Sequence, residues 1–92
     1  MCKTEIMEKM QETIKNLYQN REKAALQGVS ELLLIFQNML DYFISEENDI
    51  ISDVMNMLKK LIDCYNHIDM YGMADCLQEK AYDVIELYFK RK

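Results

Sequence analysis

The stretch from Leu26 to Phe43 limits the fold of this chain most, because it carries two apolar stripes at helical spacing. One stripe has steps of 3, 4, 3, 4 and 3 and consists of Leu26, Val29, Leu33, Phe36, Leu40 and Phe43. The other has steps of 4, 3, 4 and 3 and consists of Gly28, Leu32, Ile35, Met39 and Tyr42. A helix with one neighbour needs one stripe, so two stripes predict neighbours on two sides. We therefore expect the central helix of an all-α bundle here, with Leu33 facing at least two other helices.

Three further segments of the chain have apolar residues at helical spacing. The expected helices run from Thr4 to a turn at Gln19, from Arg21 to Ile44, from Asp49 to Ile68 and from Met70 to Lys90. Short connections make sequential helices antiparallel neighbours, so the predicted fold is a compact up-down bundle of four helices in one domain, residues 1–92. The absence of proline and of the dipeptides Asn-Gly and Asp-Gly argues against β-hairpins.

Short polar segments are expected to separate these helices. The run Gln19–Lys23 predicts a turn with Asn20 as the next N-cap. A first helix that merges with the second remains an open alternative, because nothing in this run breaks a helix outright. Ser45 or Asn48 can cap the third helix, and Asp69 is the candidate cap of the last one.

The formal net charge of −5 is spread unevenly along the chain. Residues 25–58 hold six acidic residues and no Lys or Arg, whereas the segments on either side are nearly balanced. An acidic middle repels phosphate backbones, so we expect no nucleic-acid partner. No apolar run approaches the roughly 20 residues that cross a bilayer, and the N-terminus lacks the apolar core of a secretory signal. The expected location is therefore the cytoplasm, with no membrane partner.

Cys64, His67 and Cys76 come closest to a set of metal ligands. The two cysteines lie about six residues either side of the corner at Met70, so antiparallel helices could bring them to a similar height. His67, however, belongs to the polar side of the third helix, and neither a fourth ligand nor a pair of CxxC motifs is present. We expect no metal site, but two buried thiols and a surface histidine.

No catalytic or cofactor-binding residue is expected either. The single histidine has no Ser, Cys or acidic partner at a recognised spacing, and the two glycines stand alone rather than in a phosphate-binding loop. The compact helical chorismate mutases show that enzymes of this size and class exist. Their site needs several inward basic residues. This chain has only two arginines, Arg21 and Arg91, and residues 25–58, which include most of its most apolar helix, hold no Lys or Arg. The sequence therefore predicts a non-enzymatic protein.

Two segments resemble a group of small uncharacterised all-helical proteins of clostridial bacteria. They run from Glu22 to Leu40 and from Met73 to Phe89, and together make up about two-fifths of the chain. Ala74-Asp75-Cys76-Leu77 matches the Ala-Asp-x-Leu run that opens the last helix of those proteins. Gln78-Glu79-Lys80-Ala81 departs from the Glu-Tyr-Glu-Leu run that follows it there. The resemblance implies an all-helical fold and no known activity.

The function that we expect is that of a non-enzymatic interaction module, which self-associates or binds a partner protein. An additional apolar side on the second helix predicts a homodimer interface, made by Gly28, Leu32, Leu34, Ile35, Met39 and Tyr42. The alternative is that the first helix covers this side within one chain. Two other functions stay open. One is an export or assembly chaperone-like adaptor, since the flagellin-export chaperones are also small, acidic, helical and Met-containing; the other is a small metal-binding or enzymatic helical protein.

Overall fold

A computed structural model describes residues 2–46 and 49–91 as helices joined by turns. The elements are α1 (Lys3–Tyr18), α2 (Glu22–Ser45), α3 (Ile51–Asn66), α4 (Met70–Cys76), a π-helical turn (Leu77–Ala81) and α5 (Tyr82–Arg91). α1 packs on α2, α2 on α3 and α3 on α4, and α1 closes the ring against α4. The predicted all-α bundle is confirmed, and its fourth helical segment consists of α4, the π-helical turn and α5. Within the described residues, no helix is both long and apolar enough to cross a bilayer.

α1 and α2 are separated by a tight turn at Asn20. This residue has a φ of 54°, in the left-handed region that asparagine tolerates better than most residues. The N–H of Arg21 donates to the carbonyl of Asn16 (3.0 Å), and the N–H of Asn20 donates to that of Leu17 (3.3 Å). These bonds satisfy the last carbonyls of α1, as in other left-handed helix ends. The predicted turn is confirmed, the merged helix is wrong, and Asn20 ends α1 instead of capping α2.

The corner between α3 and α4 is built in the same way at Ile68. Ile68 has a φ of 51°, and the N–H of Asp69 donates to the carbonyl of Cys64 (2.8 Å). The Asp69 carboxylate then accepts a hydrogen bond from the N–H of Gly72 (3.0 Å), so the predicted cap of the last helix is confirmed. A β-branched residue is strained in the left-handed region, and the hydrogen bonds of Asp69 on both sides of the corner hold it there.

The connection between α2 and α3 differs from the prediction. Ser45 is the last residue of α2, and its hydroxyl donates back to the carbonyl of Tyr42 (2.8 Å), so it does not cap α3. Asn48, the other candidate cap, lies outside the described residues. Ile50 occupies the N-cap position of α3 without a side-chain bond, and α3 begins two residues later than the pattern predicts.

The buried side of α2 lies between its two predicted stripes. Its buried residues come from both stripes and one position beside them: Ala25, Val29, Leu32, Phe36, Met39 and Phe43. α1 packs on one flank of this row and α3 on the other, so the centre of the buried side falls midway between the stripes. Leu33 is only half-buried, and its predicted central position is wrong. Leu32, which has no exposed surface, occupies that position.

The π-helical turn interrupts the predicted last helix. A π-helical turn accommodates one extra residue, so α5 presents a different side to the bundle than a continued α-helix would. Ile85 is fully buried on this side, and the ring of Tyr88 lies 6.1 Å from that of Phe43 on α2.

Gly28 allows a close approach of α1 and α2. A Cβ at this position would overlap the Oγ1 of Thr13 and lie 3.1 and 3.2 Å from its Cγ2 and Cβ. Thr13 is itself buried, so it has little room to move away. One turn along each helix, Lys9 Nζ and Glu31 Oε2 form an ion pair of 2.8 Å across the same contact.

Replacing Leu32 by alanine should destabilise the protein by roughly 2–5 kcal/mol, because the cavity lies in the centre of the core. Leu33→Ala should cost clearly less, since the side chain of Leu33 is partly exposed. Urea unfolding followed by circular dichroism measures both free energies. Equal losses for the two variants would contradict the position of the buried side.

Gly28→Ala should destabilise the protein by about 1–3 kcal/mol through overpacking. The loss is expected although alanine favours a helix by about 1 kcal/mol over glycine. In a Thr13→Ala background, which removes Oγ1 and Cγ2, the same change should cost much less. A double-mutant cycle of unfolding free energies measures this coupling, and additive effects would show that the contact does not limit the approach of the helices.

Candidate interaction surface

Of the six residues predicted to form a dimer interface, two lie inside the bundle and a third lies at the contact between α1 and α2. Leu32 and Met39 are buried in the core, and Gly28 lies against Thr13. α1 covers this side of α2, which is the alternative that the sequence left open. A second copy cannot reach Leu32 or Met39, so the predicted interface is wrong at these two residues.

The other three predicted interface residues have different surroundings. Ile35 and Tyr42 are half-buried. The ring of Tyr42 lies 5.2 Å from that of Tyr88, and its hydroxyl donates to the backbone carbonyl of Arg91 (3.2 Å), so this side chain holds α5 against α2. Leu34 is 65% exposed and remains fully accessible to a partner.

Leu34 belongs to a wider exposed surface on the hairpin of α2 and α3, which we name the α2–α3 face. Residues at these helical steps share one side of a helix. On α2 the face consists of four exposed residues at steps of 3, 4 and 3, namely Leu34, Gln37, Asp41 and Ile44. On α3 it consists of three exposed residues at steps of 4 and 3, namely Met55, Lys59 and Ile62. Leu34, Ile44, Met55 and Ile62 are 65, 49, 53 and 38% exposed. They are four of the seven large apolar side chains that are exposed in the described part of the chain.

A groove runs along this face between the two helices. It encloses about 410 Å³ and is lined by Leu40, Met55, Asn56, Leu58, Lys59 and Ile62. Because Leu40 belongs to α2 and the other residues to α3, the side of α3 that carries Met55 and Ile62 lies next to α2. Leu58 is nearly buried and Leu40 half-buried, so they form the floor of the groove, and the more exposed Met55 and Ile62 form its walls.

Two other recesses are less suited to an apolar partner. A larger recess of about 740 Å³ is lined by seven residues, and four of them are charged: Lys3, Asp83, Glu86 and Lys90. The other three are Ile50, Leu87 and Phe89. Lys3 Nζ and Glu86 Oε2 form an ion pair of 2.8 Å in its wall. A cleft of about 280 Å³ beside the π-helical turn is lined mainly by polar and charged residues of α3 and of the turn, including Asp53, Lys60 and Lys80.

The α2–α3 face is poor in charge. Among its seven residues, which the structure describes in full, only Asp41 and Lys59 are charged, and their charges are opposite. Depletion of charged residues around exposed apolar side chains is typical of the core of protein–protein interfaces.

The α3 part of this face was missed in the sequence. Met55 and Ile62 extend the apolar stripe of the third helix on its flank, and the interface predicted from the sequence includes neither of them. The available signal was their spacing of seven residues, which places both on one edge of the stripe, next to Lys59 rather than next to Leu61. An outer helix with so wide an apolar side has more apolar surface than the core of its own chain can bury.

The two internal cysteines are poor nucleophiles in this fold. Burial raises the pKa of the Cys76 thiol to about 11, and the thiol donates to the backbone carbonyl of Met57 at 3.6 Å. Burial, followed by the nearby carboxylates of Asp69 and Asp63, also raises the pKa of Cys64. Both groups are therefore protonated near neutral pH.

His67 does not join the two cysteines. Its side chain is exposed, and Nδ1 donates to the backbone carbonyl of Asp63 at 2.8 Å. Cys64 of α3 and Cys76 of α4 are both buried. Residues 2–46 and 49–91 contain no group of three or more His, Cys, Asp or Glu side chains that could hold a metal ion.

No protein-family model, curated protein or solved structure matches this chain. Its function therefore has to be inferred from its own surface.

The folded protein at pH 8 should react with Ellman's reagent at one thiol per chain, Cys2, because this cysteine is exposed and the other two are buried with raised pKa values. In urea all three thiols should react. The Cys2→Ser variant is the control and should lose the fast reaction completely. Rapid modification of Cys76 in the folded protein would contradict the structure.

Proposed function

We propose that this protein is a non-enzymatic interaction module that binds a partner protein, or a second copy of itself, through the α2–α3 face. The observation that carries this proposal is an apolar groove with Met55 and Ile62 in its walls, on a face that also exposes Leu34 and Ile44 of α2. Burying one such side chain completely contributes about 1.5–3 kcal/mol, so the face offers a substantial gain on binding. Contiguous apolar patches on small proteins commonly mark interaction sites.

The shape and lining of the groove favour a protein segment over a small molecule. Sites for small molecules enclose most of the ligand and direct several polar groups at it. Here the groove is open, and Leu40, Leu58, Met55 and Ile62 make up most of its lining. A shallow apolar groove between two helices is suited to the apolar side of a third helix. Met55 can adapt to different partners, because its side chain is flexible and polarisable.

A reducing compartment such as the cytoplasm is the location that we propose with this function. The three cysteines are all unpaired thiols in the described structure. Free thiols persist where glutathione and thioredoxin keep them reduced.

Photocrosslinking tests the proposal in cells that make this protein. Met55 is replaced by benzoylphenylalanine, and the matched control carries the same amino acid at Gln11, which is exposed on α1 away from the face. Irradiation should give an adduct of one defined mass from position 55 and none from position 11. A second change, Ile62→Asp, should lower the yield by roughly tenfold or more, because an apolar contact is replaced by a desolvated charge.

The mass of the adduct identifies the kind of partner. A mass of twice 11.0 kDa indicates a second copy, and another mass indicates a different protein. A second variant carries benzoylphenylalanine in place of Leu34. If neither position 55 nor position 34 gives more adduct than position 11, the α2–α3 face is not an interaction surface and the proposed function is wrong.

A further inference from the structure

We infer that the α2–α3 face binds the same face of a second copy, with the two-fold axis parallel to the helices and Asp41 of each chain opposite Lys59 of the other. The inference rests on the proposed function and names the partner. It follows from the heights at which apolar and charged residues lie along α2 and α3.

The charged residues of the face lie at one height. α2 and α3 are antiparallel, because a short connection joins them. Leu40 lines the groove together with the α3 segment from Met55 to Ile62, so it lies level with the middle of that segment. Asp41 is the next residue on α2, and Lys59 is the central exposed residue of the α3 segment. The acid on one helix and the base on the other therefore lie at about the same height along the bundle.

The apolar residues of the face also match in height. Leu34 lies six residues before Leu40, which is about 9 Å along the helix and toward the end of α3 that carries Ile62. Ile44 lies four residues after Leu40, about 6 Å in the opposite direction and toward Met55. Each helix thus presents an apolar residue, a charge and an apolar residue in the same vertical order.

A two-fold axis parallel to the helices uses this match. Such an axis keeps every residue at its height and places α2 of one chain opposite α3 of the other. The pairs are Leu34 with Ile62, Asp41 with Lys59, and Ile44 with Met55, and each pair occurs twice by symmetry. The four helices at the interface then form a bundle in which every helix is antiparallel to its neighbours, a common and favourable arrangement.

The other possible two-fold axis lies across the helices and conflicts with the charges. It places α2 opposite α2 and α3 opposite α3. When it crosses the helices at the height of Asp41 and Lys59, where the two faces overlap most, Asp41 faces Asp41 and Lys59 faces Lys59. Like charges in direct opposition disfavour a complex. The axis parallel to the helices is the one that the charge pattern favours.

A second copy also fits the face better than a strongly charged partner. A basic partner would leave Lys59 opposed by like charge, and an acidic partner would do the same to Asp41. The face itself carries one charge of each sign, so it is complementary to itself. Because each chain has a net charge of −5, long-range repulsion opposes the dimer, and moderate salt should strengthen it.

Charge exchange at these two positions tests the inference. Asp41→Lys and Lys59→Asp each create two like-charge contacts per dimer, so each variant alone should weaken self-association by roughly tenfold or more. The double variant should associate as the unchanged protein does. An equimolar mixture of the two single variants should form heterodimers, since both contacts again join opposite charges. Sedimentation equilibrium in low salt measures all four cases, and circular dichroism checks that every variant is folded.

The controls are charge exchanges on neighbouring residues outside the face. Lys60→Asp and Asp53→Lys change exposed residues of α3 that line the cleft beside the π-helical turn. They change the net charge of the chain by the same two units as the test variants, so they measure the effect of net charge alone. That effect should be far smaller than the tenfold loss expected for Asp41→Lys and Lys59→Asp.

Two results would overturn the inference. If the unchanged protein stays monomeric at several hundred micromolar, the partner is not a second copy; a crosslink from position 55 to another protein would then still support the proposed function. If the protein dimerises but the double variant is as weak as the single ones, the dimer does not have the inferred arrangement. Absence of both the dimer and the crosslink would refute the proposed function as well.

Discussion

The bundle depends on covering α2 from two sides. The buried row through Val29, Leu32 and Phe36 lies between α1 and α3, and neither helix alone can cover it. The small Gly28 lets α1 come close on one flank. Both turns with left-handed residues, at Asn20 and Ile68, reverse the chain within a few residues so that consecutive helices pack side by side. This arrangement leaves one strip of α2 outside the bundle, on the flank of α3.

The sides of the bundle are closed by different kinds of contact. Polar contacts join α1 to α2, to α5 and to the π-helical turn: Lys9 with Glu31, Lys3 with Glu86, and Tyr18 with Gln78. Between α2 and α3, the described residues form no side-chain hydrogen bond or ion pair in addition to their apolar packing. The α2–α3 side therefore differs from the others in two respects. It exposes apolar side chains, and its two charged groups, Asp41 and Lys59, form no hydrogen bond or ion pair with another of the described side chains.

The sequence predicts those parts of the fold that depend on local signals. An aspartate directly before a helix commonly caps it, and a polar run after an apolar stripe ends the helix. The cap at Asp69 and the turn after Tyr18 could therefore be predicted from neighbouring residues. The position of Leu33 was not, because a rotation of 100° about the helix axis separates it from Leu32, and packing on both flanks decides which residue is central. The π-helical turn was also missed, since the residues of Leu77–Ala81 are all compatible with an α-helix. The surface was predicted at Leu34 and missed at Met55 and Ile62, because exposure on α3 depends on how far apart two packed helices lie.

The location of the exposed apolar residues is harder to explain by folding alone than their number. A domain of 92 residues has a small core, so some apolar side chains remain at its surface. Single exposed leucines scattered over that surface would need no explanation. Here the exposed residues of two consecutive helices coincide in height and share one side, with one acid and one base between them. Packing of the core determines which residues of α2 and α3 face inward. It does not require that the outward residues Leu34, Asp41 and Lys59 match in height or in charge. A contact that covers the α2–α3 face from outside does place that requirement, and it gives the apolar residues a gain in burial that the single chain cannot provide.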